Sequence, residues 1–145
     1  MQVNVKWADG VCFSGESESN HSVKMDGPSE AGGLDKGMRP MELLLIAMGG
    51  CTSFDVVTIL KKSRQKIVDC EALISAERSQ NIPKVFTKIH IHFVVKGDHL
   101  DNEVVARTIK LSAEKYCSAT IMLSKSVEIT HDFEIIEIEA SSVVI

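Results

Sequence analysis

The chain has 145 residues, enough for one domain with a substantial core, and its 44% hydrophobic and 25% charged residues are typical of a globular protein. A net charge of −4 with scattered Lys and Arg excludes the basic stripe of a nucleic-acid-binding protein. Residues 1–10 lack the charged and apolar regions of a signal peptide, and the twelve uncharged residues between Glu42 and Asp55 are fewer than the ~20 of a membrane span. We therefore expect a cytoplasmic protein with no membrane partner.

The N-terminal third predicts a small meander followed by a loop. Val3, Val5 and Trp7 alternate with polar residues, which is typical of a half-buried strand over residues 2–8. "DG" at 9–10 and "SN" at 19–20 are turn signals, so we expect three short strands. Residues 27–39 hold four of the nine glycines and predict a flexible loop.

A long apolar helix is predicted from Pro40 to about Arg64 or Gln65. Proline suits the first turn of a helix because its missing N–H needs no partner there. The segment is apolar nearly all round, so we expect it to be buried by a sheet and by a second subunit. Two glycines directly before Cys51 are unusual, since each costs ~1 kcal/mol against Ala in a helix interior. The space left by the two absent side chains admits a closely packed backbone or a small molecule.

The rest of the chain predicts strands, a helix and a last strand. Residues 69–79 and 85–97 alternate as two strands, with a link at 81–83. Asp101 is placed to cap a second helix that ends near residue 117, and residues 127–138 predict the final strand. This order predicts an α+β fold, with helices packed on an antiparallel sheet in a single domain over residues 1–145.

Four cysteines occur at positions 12, 51, 70 and 117, and no C-x-x-C motif is present. A cytoplasmic setting argues against two structural disulfides, and the missing motif argues against a zinc site or a thioredoxin-type centre. Cys51 and Cys117 lie on the two predicted helices, whereas Cys12 and Cys70 are interpreted as packing residues. Both helix thiols could equally be core residues. If they face each other in a dry pocket, they fit thiol peroxidase chemistry.

Two long stretches carry a family resemblance. "RPMELLLIAMGGCTSFDVV" and, much later, "LSAEKYCSATIMLSKSVEITHDFEI" resemble the OsmC/Ohr superfamily of osmotically inducible and organic hydroperoxide resistance proteins, most closely its YhfA-like branch. The resemblance covers nearly the whole chain. It implies an intertwined homodimer in which an antiparallel sheet wraps long central helices that carry the cysteines.

The resemblance also implies an activity and its residues. Cys51 corresponds to the peroxidatic thiol of the family's peroxidases, and Cys117 to the resolving thiol. The implied substrates are alkyl and fatty-acid hydroperoxides, reduced by dithiols such as dihydrolipoyl groups, with no cofactor and no metal. Glu42 is the candidate catalytic carboxylate, and Arg39 is the candidate substrate-binding cation.

The chain departs from the family pattern at residues that assist or adjoin the two cysteines. Met41 occupies the position of the peroxidases' Glu, no Arg precedes Arg39, and Ser118 follows the second cysteine where many relatives have Pro. The alternative is therefore a non-catalytic dimer whose pocket binds small hydrophobic or thiol compounds. In a third interpretation both thiols fill the core.

His90 and His92 share one face of a predicted strand. This spacing can hold a metal ion, but the sequence shows no third ligand, so we interpret the pair as outward-facing.

Overall fold

The first β-sheet forms where turn residues interrupt short alternating segments. A computed structural model describes residues 1–139 and leaves residues 140–145 outside the description. Strands β1 (Val3–Asp9), β2 (Cys12–Ser17) and β3 (Ser22–Met25) pair antiparallel in chain order. The turns place Gly10 and Asn20 at positive φ, which Gly and Asn tolerate. The predicted meander is confirmed.

Strand β1 is more exposed than its alternation predicts. Every residue of β1 is exposed, including Val3, Val5 and Trp7, whose exposed fractions are 71%, 57% and 68%. We predicted a half-buried strand, but within residues 1–46 nothing covers this apolar row. Exposed rows of this kind usually mark an interaction surface.

The glycine-rich loop after β3 is organised by one buried carboxylate. Asp26 accepts hydrogen bonds from the backbone N–H groups of Gly27, Leu34 and Lys36 at 2.8, 3.0 and 3.0 Å. The bond from Lys36 contributes most to lowering the pKa of Asp26, although burial opposes it. A loop predicted to be flexible is thus held by a charge-assisted set of bonds.

Helix α1 (Pro40–Lys62) begins at the predicted proline and ends two or three residues before the predicted end. The helix stops because Arg64 adopts a left-handed φ of 58° and the Gln65 N–H donates to the Leu60 carbonyl. Its buried residues are Met48, Gly49, Thr52, Val56 and Leu60. They form one face at a spacing of four residues. The opposite face is exposed in the single chain, where Phe54 is 70% exposed, so its predicted burial by a second subunit stays a prediction.

Among the described residues, α1 is also the one helix long and apolar enough to cross a membrane by length and composition. Its best window has a mean hydropathy of 2.0 and is 28% buried within the chain. The core helix of a soluble protein passes the same test, so this property does not identify a membrane span.

The second sheet is mixed. Strand β4 (Lys66–Arg78) pairs antiparallel with β5 (Phe86–Asp98), and β6 (Glu128–Glu137) pairs with β5 in the parallel direction. We predicted a wholly antiparallel sheet. This prediction is wrong for the last strand, β6, which runs parallel to β5. The chain between β5 and β6 is long and helical, which is the connection that parallel neighbours require.

Two helices separate β5 from β6. Helix α2 (Asn102–Leu111) is capped as predicted by Asp101, whose side chain accepts from the N–H groups of Glu103 and Val104. A wide π-helical turn (Ser112–Tyr116) follows, and then the short helix α3 (Ser118–Leu123). Sequence analysis predicted no helix at α3, because six residues are too few to show helical periodicity.

These elements form an α+β fold, as predicted. The chain divides into two compact units, one over Met1–Ile46 and one that begins at Ala47, and α1 begins in the first and continues into the second. The single domain over residues 1–145 stays a prediction, and its last six residues lie outside the described part.

Gly49 provides a test of the packing between α1 and β4. A Cβ built on Gly49 would lie 2.6 Å from Cδ1 of Ile74. We expect Gly49→Ala to destabilise the chain by about 1–2 kcal/mol through overpacking. In an Ile74→Val background, which removes that Cδ1 atom, the same change should be neutral or should stabilise by up to ~1 kcal/mol through helix propensity.

The measurement is urea unfolding of the four variants of a double-mutant cycle. Strictly additive effects of the two substitutions would contradict the proposed contact.

Candidate active site

The structure brings together the two helix cysteines. Cys51 lies on α1 and Cys117 lies between the π-helical turn and α3, yet the two side chains are close enough for Cys51 to raise the pKa of the Cys117 thiol. Both thiols are free. Cys117 is fully buried, whereas Cys51 is partly accessible. The pair therefore combines one thiol that a small molecule could approach with one that is shielded from solvent.

Cys117 is held by the start of α3. It occupies the N-cap position, where its sulfur accepts hydrogen bonds from the backbone N–H and the hydroxyl of Thr120 at 3.4 and 3.1 Å. Oxygen-bearing side chains normally fill this position. Here a thiol performs the same capping, so the sulfur of Cys117 is fixed by the backbone of the helix that follows it.

Burial raises the pKa of the Cys117 thiol. The two bonds from Thr120 act in the opposite direction, while the neighbouring Cys51 thiol raises the pKa further. A thiol of this kind is protonated at rest, and Thr120 lowers the cost of its thiolate.

A buried polar cluster joins α1 to the π-helical turn beside the thiols. The hydroxyls of Thr52 and Ser112 are 2.9 Å apart, and the Ser112 hydroxyl also donates to the Asp55 carboxylate at 3.0 Å. Ser112 and Thr52 are almost completely buried. Because Thr52 follows Cys51 directly, this cluster fixes the part of α1 that carries the thiol. Asp55 also belongs to this cluster, and sequence analysis did not single out Ser112.

The two glycines before Cys51 have different surroundings. Gly49 is buried beneath Ile74 of β4, whereas a Cβ on Gly50 would meet nothing within 4 Å. Gly50 instead borders a shallow groove of about 590 Å³ on the exposed side of α1, together with Ser53, Phe54 and Val57. One glycine therefore admits a strand side chain, and the other leaves a surface uncovered.

Glu42 and Arg39 lie in the first unit, where both make local bonds. The Glu42 carboxylate accepts from the Arg39 backbone N–H at 2.8 Å, which is the reciprocal half of a capping box at the start of α1. The Arg39 guanidinium donates to the Gly37 carbonyl at 3.1 Å and forms an ion pair with Asp35 at 3.4 Å. The structure thus gives each residue a structural partner, and their predicted roles at the thiols stay predictions.

Cys12 and Cys70 lie on strands, as predicted. Cys12 is 7% exposed on β2. Burial, together with the neighbouring Asp69 carboxylate, raises the pKa of Cys70 to about 11. Cys70 is therefore almost entirely protonated at neutral pH and is a poor nucleophile.

Comparisons with known proteins identify the family of the chain. The OsmC-like protein family profile matches residues 33–132, which contain both Cys51 and Cys117. The chain therefore belongs to the OsmC-like protein family. Among curated proteins it is 50% identical over 136 residues to protein YhfA of Escherichia coli strain K12, covering 94% of this chain and 98% of that protein.

Solved structures show the same fold. A hypothetical protein from Aquifex aeolicus superposes with a TM-score of 0.84 at 29% identity, covering 95% of this chain and 97% of the other. A Legionella pneumophila protein described as an organic hydroperoxide resistance protein OsmC gives a TM-score of 0.71 at 14% identity, covering 92% and 97%. At that identity the second likeness establishes the fold alone.

Thr120 provides a test of how the Cys117 thiolate is stabilised. Thr120→Val keeps the shape of the side chain but removes the hydroxyl donor, so we expect the pKa of Cys117 to rise further. The stability of the chain should fall by about 1 kcal/mol, the usual net contribution of one hydrogen bond. The measurement is an alkaline titration followed by the ¹³Cβ chemical shift of Cys117.

Thr120→Ser is the matched control, because it keeps a hydroxyl at the same position. An unchanged titration midpoint in Thr120→Val, or an equal shift in both variants, would show that this hydroxyl does not stabilise the thiolate.

Proposed function

We propose that the protein is a cysteine-based hydroperoxide reductase that works as a cytoplasmic homodimer. The observation that carries the proposal is the adjacency of a partly accessible Cys51 and a buried Cys117 in an OsmC-family fold. Four free thiols fit a reducing compartment, which supports the cytoplasmic location.

Cys51 is the attacking residue in this proposal, because it is the more accessible thiol of the pair. Its thiolate attacks the distal oxygen of an alkyl or fatty-acid hydroperoxide and the O–O bond breaks. The alkoxide takes up a proton and leaves as the alcohol, and Cys51 becomes a sulfenic acid. The sulfur is oxidised by two electrons, and the peroxide is reduced by two.

Cys117 resolves the sulfenic acid. Its sulfur attacks the Cys51 sulfur, the S–O bond breaks, and water leaves with the thiol proton as the disulfide forms. Burial raises the pKa of Cys117, so this step needs the bonds from Thr120 to stabilise the developing thiolate. A dithiol such as a dihydrolipoyl group then reduces the disulfide by exchange and is itself oxidised to a cyclic disulfide.

Arg39 and Glu42 complete the proposal as the substrate-binding cation and the catalytic carboxylate. Both have local bonds that compete with these roles, since Arg39 holds the loop before α1 and Glu42 caps the helix. Their participation therefore requires that these bonds be shared or exchanged when substrate binds.

The second candidate is a non-catalytic member of the family that binds small hydrophobic or thiol compounds. Met41 at the position of the family's Glu, and the absence of an Arg before Arg39, favour it. The two candidates differ in one observable, which is whether a hydroperoxide oxidises the thiol pair.

The deciding experiment adds one equivalent of cumene hydroperoxide to reduced protein and maps peptides without reductant. We expect a Cys51–Cys117 disulfide within seconds, because the two thiols already adjoin. Cys51→Ser should form none, and Cys117→Ser should leave a sulfenic acid on Cys51 that dimedone traps.

Cys12 and Cys70 are internal controls in the same digest. Both should stay reduced, Cys70 because its pKa of about 11 leaves little thiolate. If Cys51 and Cys117 also stay reduced, or oxidise only as slowly as Cys12, the proposed reductase activity is contradicted and the non-catalytic candidate is favoured.

Two exposed apolar surfaces support the homodimer. The row along β1 and the groove beside Gly50 and Phe54 are both uncovered within the unit that carries them. Apolar surface of this extent is usually buried by a partner. We therefore propose that a second copy of the chain covers these surfaces.

Phe54→Glu tests this interface. Burying an unpaired carboxylate in an apolar contact is costly, so we expect the wild type to sediment as a dimer and Phe54→Glu as a monomer. Leu73→Glu is the matched control, since Leu73 is a half-exposed apolar residue on β4 and should leave the dimer intact. A monomeric wild type, or dissociation by both substitutions alike, would argue against this use of the α1 surface.

A further inference from the structure

A ladder of polar side chains crosses the outer face of the second sheet, on residues that the proposed reductase does not use. His90 and His92 lie on β5, and Thr130, Asp132 and Glu134 lie on β6. The parallel register places His90 opposite Thr130 and His92 opposite Asp132. Since alternate residues of a strand share one face, all five side chains lie on the same side of the sheet. The ladder therefore joins β6 to the central strand of the sheet by side chains as well as by backbone bonds.

The contacts of His92 are satisfied only by its protonated form. Nδ1 of His92 lies 2.6 Å from Oδ1 of Asp132, and its Nε2 lies 3.1 Å from Oε1 of Glu134. An ionised carboxylate only accepts hydrogen bonds, so both ring nitrogens must donate, and both carry a proton only in the imidazolium ion. In a neutral ring, one nitrogen would present its lone pair to a carboxylate. The position of His92 therefore favours the cation.

His90 has a different pair of neighbours. Its Nε2 lies 3.0 Å from the same Oδ1 of Asp132, whereas its Nδ1 lies 2.7 Å from the Thr130 hydroxyl. A hydroxyl can donate as well as accept, so a neutral His90 that donates from Nε2 and accepts at Nδ1 satisfies both contacts. The two histidines of this face therefore differ, because only His92 needs a positive charge to make its bonds.

The remaining charged groups of this face do not replace the partners of His92. On β4, Leu73 lies opposite His92 and Ser75 lies opposite His90, and neither side chain titrates. The charged residues further along the face are Asp69, Glu71 and Glu77 on β4, Lys88 and Lys96 on β5, and Glu128 on β6. Within residues 1–139, none of these lies within ion-pair distance of either imidazole, and Lys96 is paired with Asp69 at 3.0 Å. Asp132 and Glu134 are thus the charges that decide the protonation of His92.

We propose that His92, Asp132 and Glu134 form a proton-dependent clip that holds β6 to β5. The clip is closed when His92 carries two ring protons and is loosened when it loses one. Loss of the proton removes one of the two bonds of His92, and it leaves two carboxylates on the same face of β6 without a cation between them. The clip does not involve Cys51 or Cys117, so it is independent of the proposed reductase.

The pKa values of the two central groups shift in the directions that such a clip requires. The hydrogen bonds to Asp132 and then to Glu134 raise the pKa of His92 above its ordinary 6.5, although burial opposes them. The bond from His92 is also the largest cause that lowers the pKa of Asp132 below its ordinary 3.8. Each group therefore stabilises the charged form of the other.

These directions define the pH range in which the clip is closed. A histidine whose pKa is raised on folding contributes fully below its unfolded value, and the contribution is lost as pH rises through the raised value. A carboxylate whose pKa is lowered contributes above its unfolded value and loses the contribution as pH falls through the lowered one. The clip is therefore closed between pH 3.8 and pH 6.5, and it opens as pH rises through the raised pKa of His92.

The first test is titration of the imidazole ¹H–¹⁵N signals of the reduced full-length protein from about pH 5 to about pH 9, a range that brackets the ordinary value of histidine. We expect His92 to titrate with a pKa above 6.5. Glu134→Gln keeps the size of the side chain but removes its charge, so the pKa of His92 should fall. The proposal is overturned if His92 titrates at or below 6.5, or if Glu134→Gln leaves its midpoint unchanged.

The second test is urea unfolding at about pH 6 and about pH 9, on either side of the ordinary histidine value. His92→Gln cannot acquire a charge. Between the two pH values the wild type should therefore lose roughly two- to five-fold more of its folding equilibrium constant than His92→Gln does, a range typical of exposed ion pairs.

His131→Gln is the matched control, because His131 is an exposed residue of β6 that alternates with the residues of the ladder. It should keep the pH dependence of the wild type. An equal pH dependence of the wild type and His92→Gln, or an equal loss of it in both histidine variants, would show that the clip does not operate. Circular dichroism verifies the fold of each variant, and the first test does not depend on the folding of His92→Gln.

Discussion

The hydrogen bond between the Thr52 and Ser112 hydroxyls is the interaction on which the arrangement of the thiols depends. It is buried on both sides and joins the long helix to the turn that leads into Cys117. A buried hydroxyl without a partner is costly, so the two elements gain from meeting at this point. Because Thr52 is adjacent to Cys51, the same bond determines which part of α1 faces the second thiol.

The π-helical turn provides the other half of this constraint. Its wide bond, from the Cys117 N–H to the Ser112 carbonyl at 2.8 Å, lets the chain leave α2 and begin α3 within a few residues. Turns of this type occur frequently at functional sites because they redirect side chains without ending the helical run. Here the turn buries Ser112 and delivers Cys117 to the start of the next helix.

The sequence predicts features that local physics determines. The Asp101 cap, the start of α1 at Pro40 and the alternating strands β4 and β5 each follow from neighbouring residues. The features it did not predict depend on residues far apart in the chain. The parallel direction of β6 arises from the helical crossover before it, and the Asp132 carboxylate reaches the two histidines only through that pairing. The role of Ser112 was missed for the same reason, since its partner is 60 residues away.

The position of Cys117 as a helix cap has a consequence for how the protein responds to oxidation. A thiol or thiolate accepts the hydrogen bonds that begin α3, whereas a sulfur in a disulfide is a weaker acceptor and is pulled toward its new partner. The first turn of α3 is therefore stabilised in the reduced state and weakened in the oxidised one. In the proposed reductase, the oxidation state of the Cys117 sulfur would thus be coupled to the order of a short helix, and a reductant would distinguish the two states by shape as well as by chemistry.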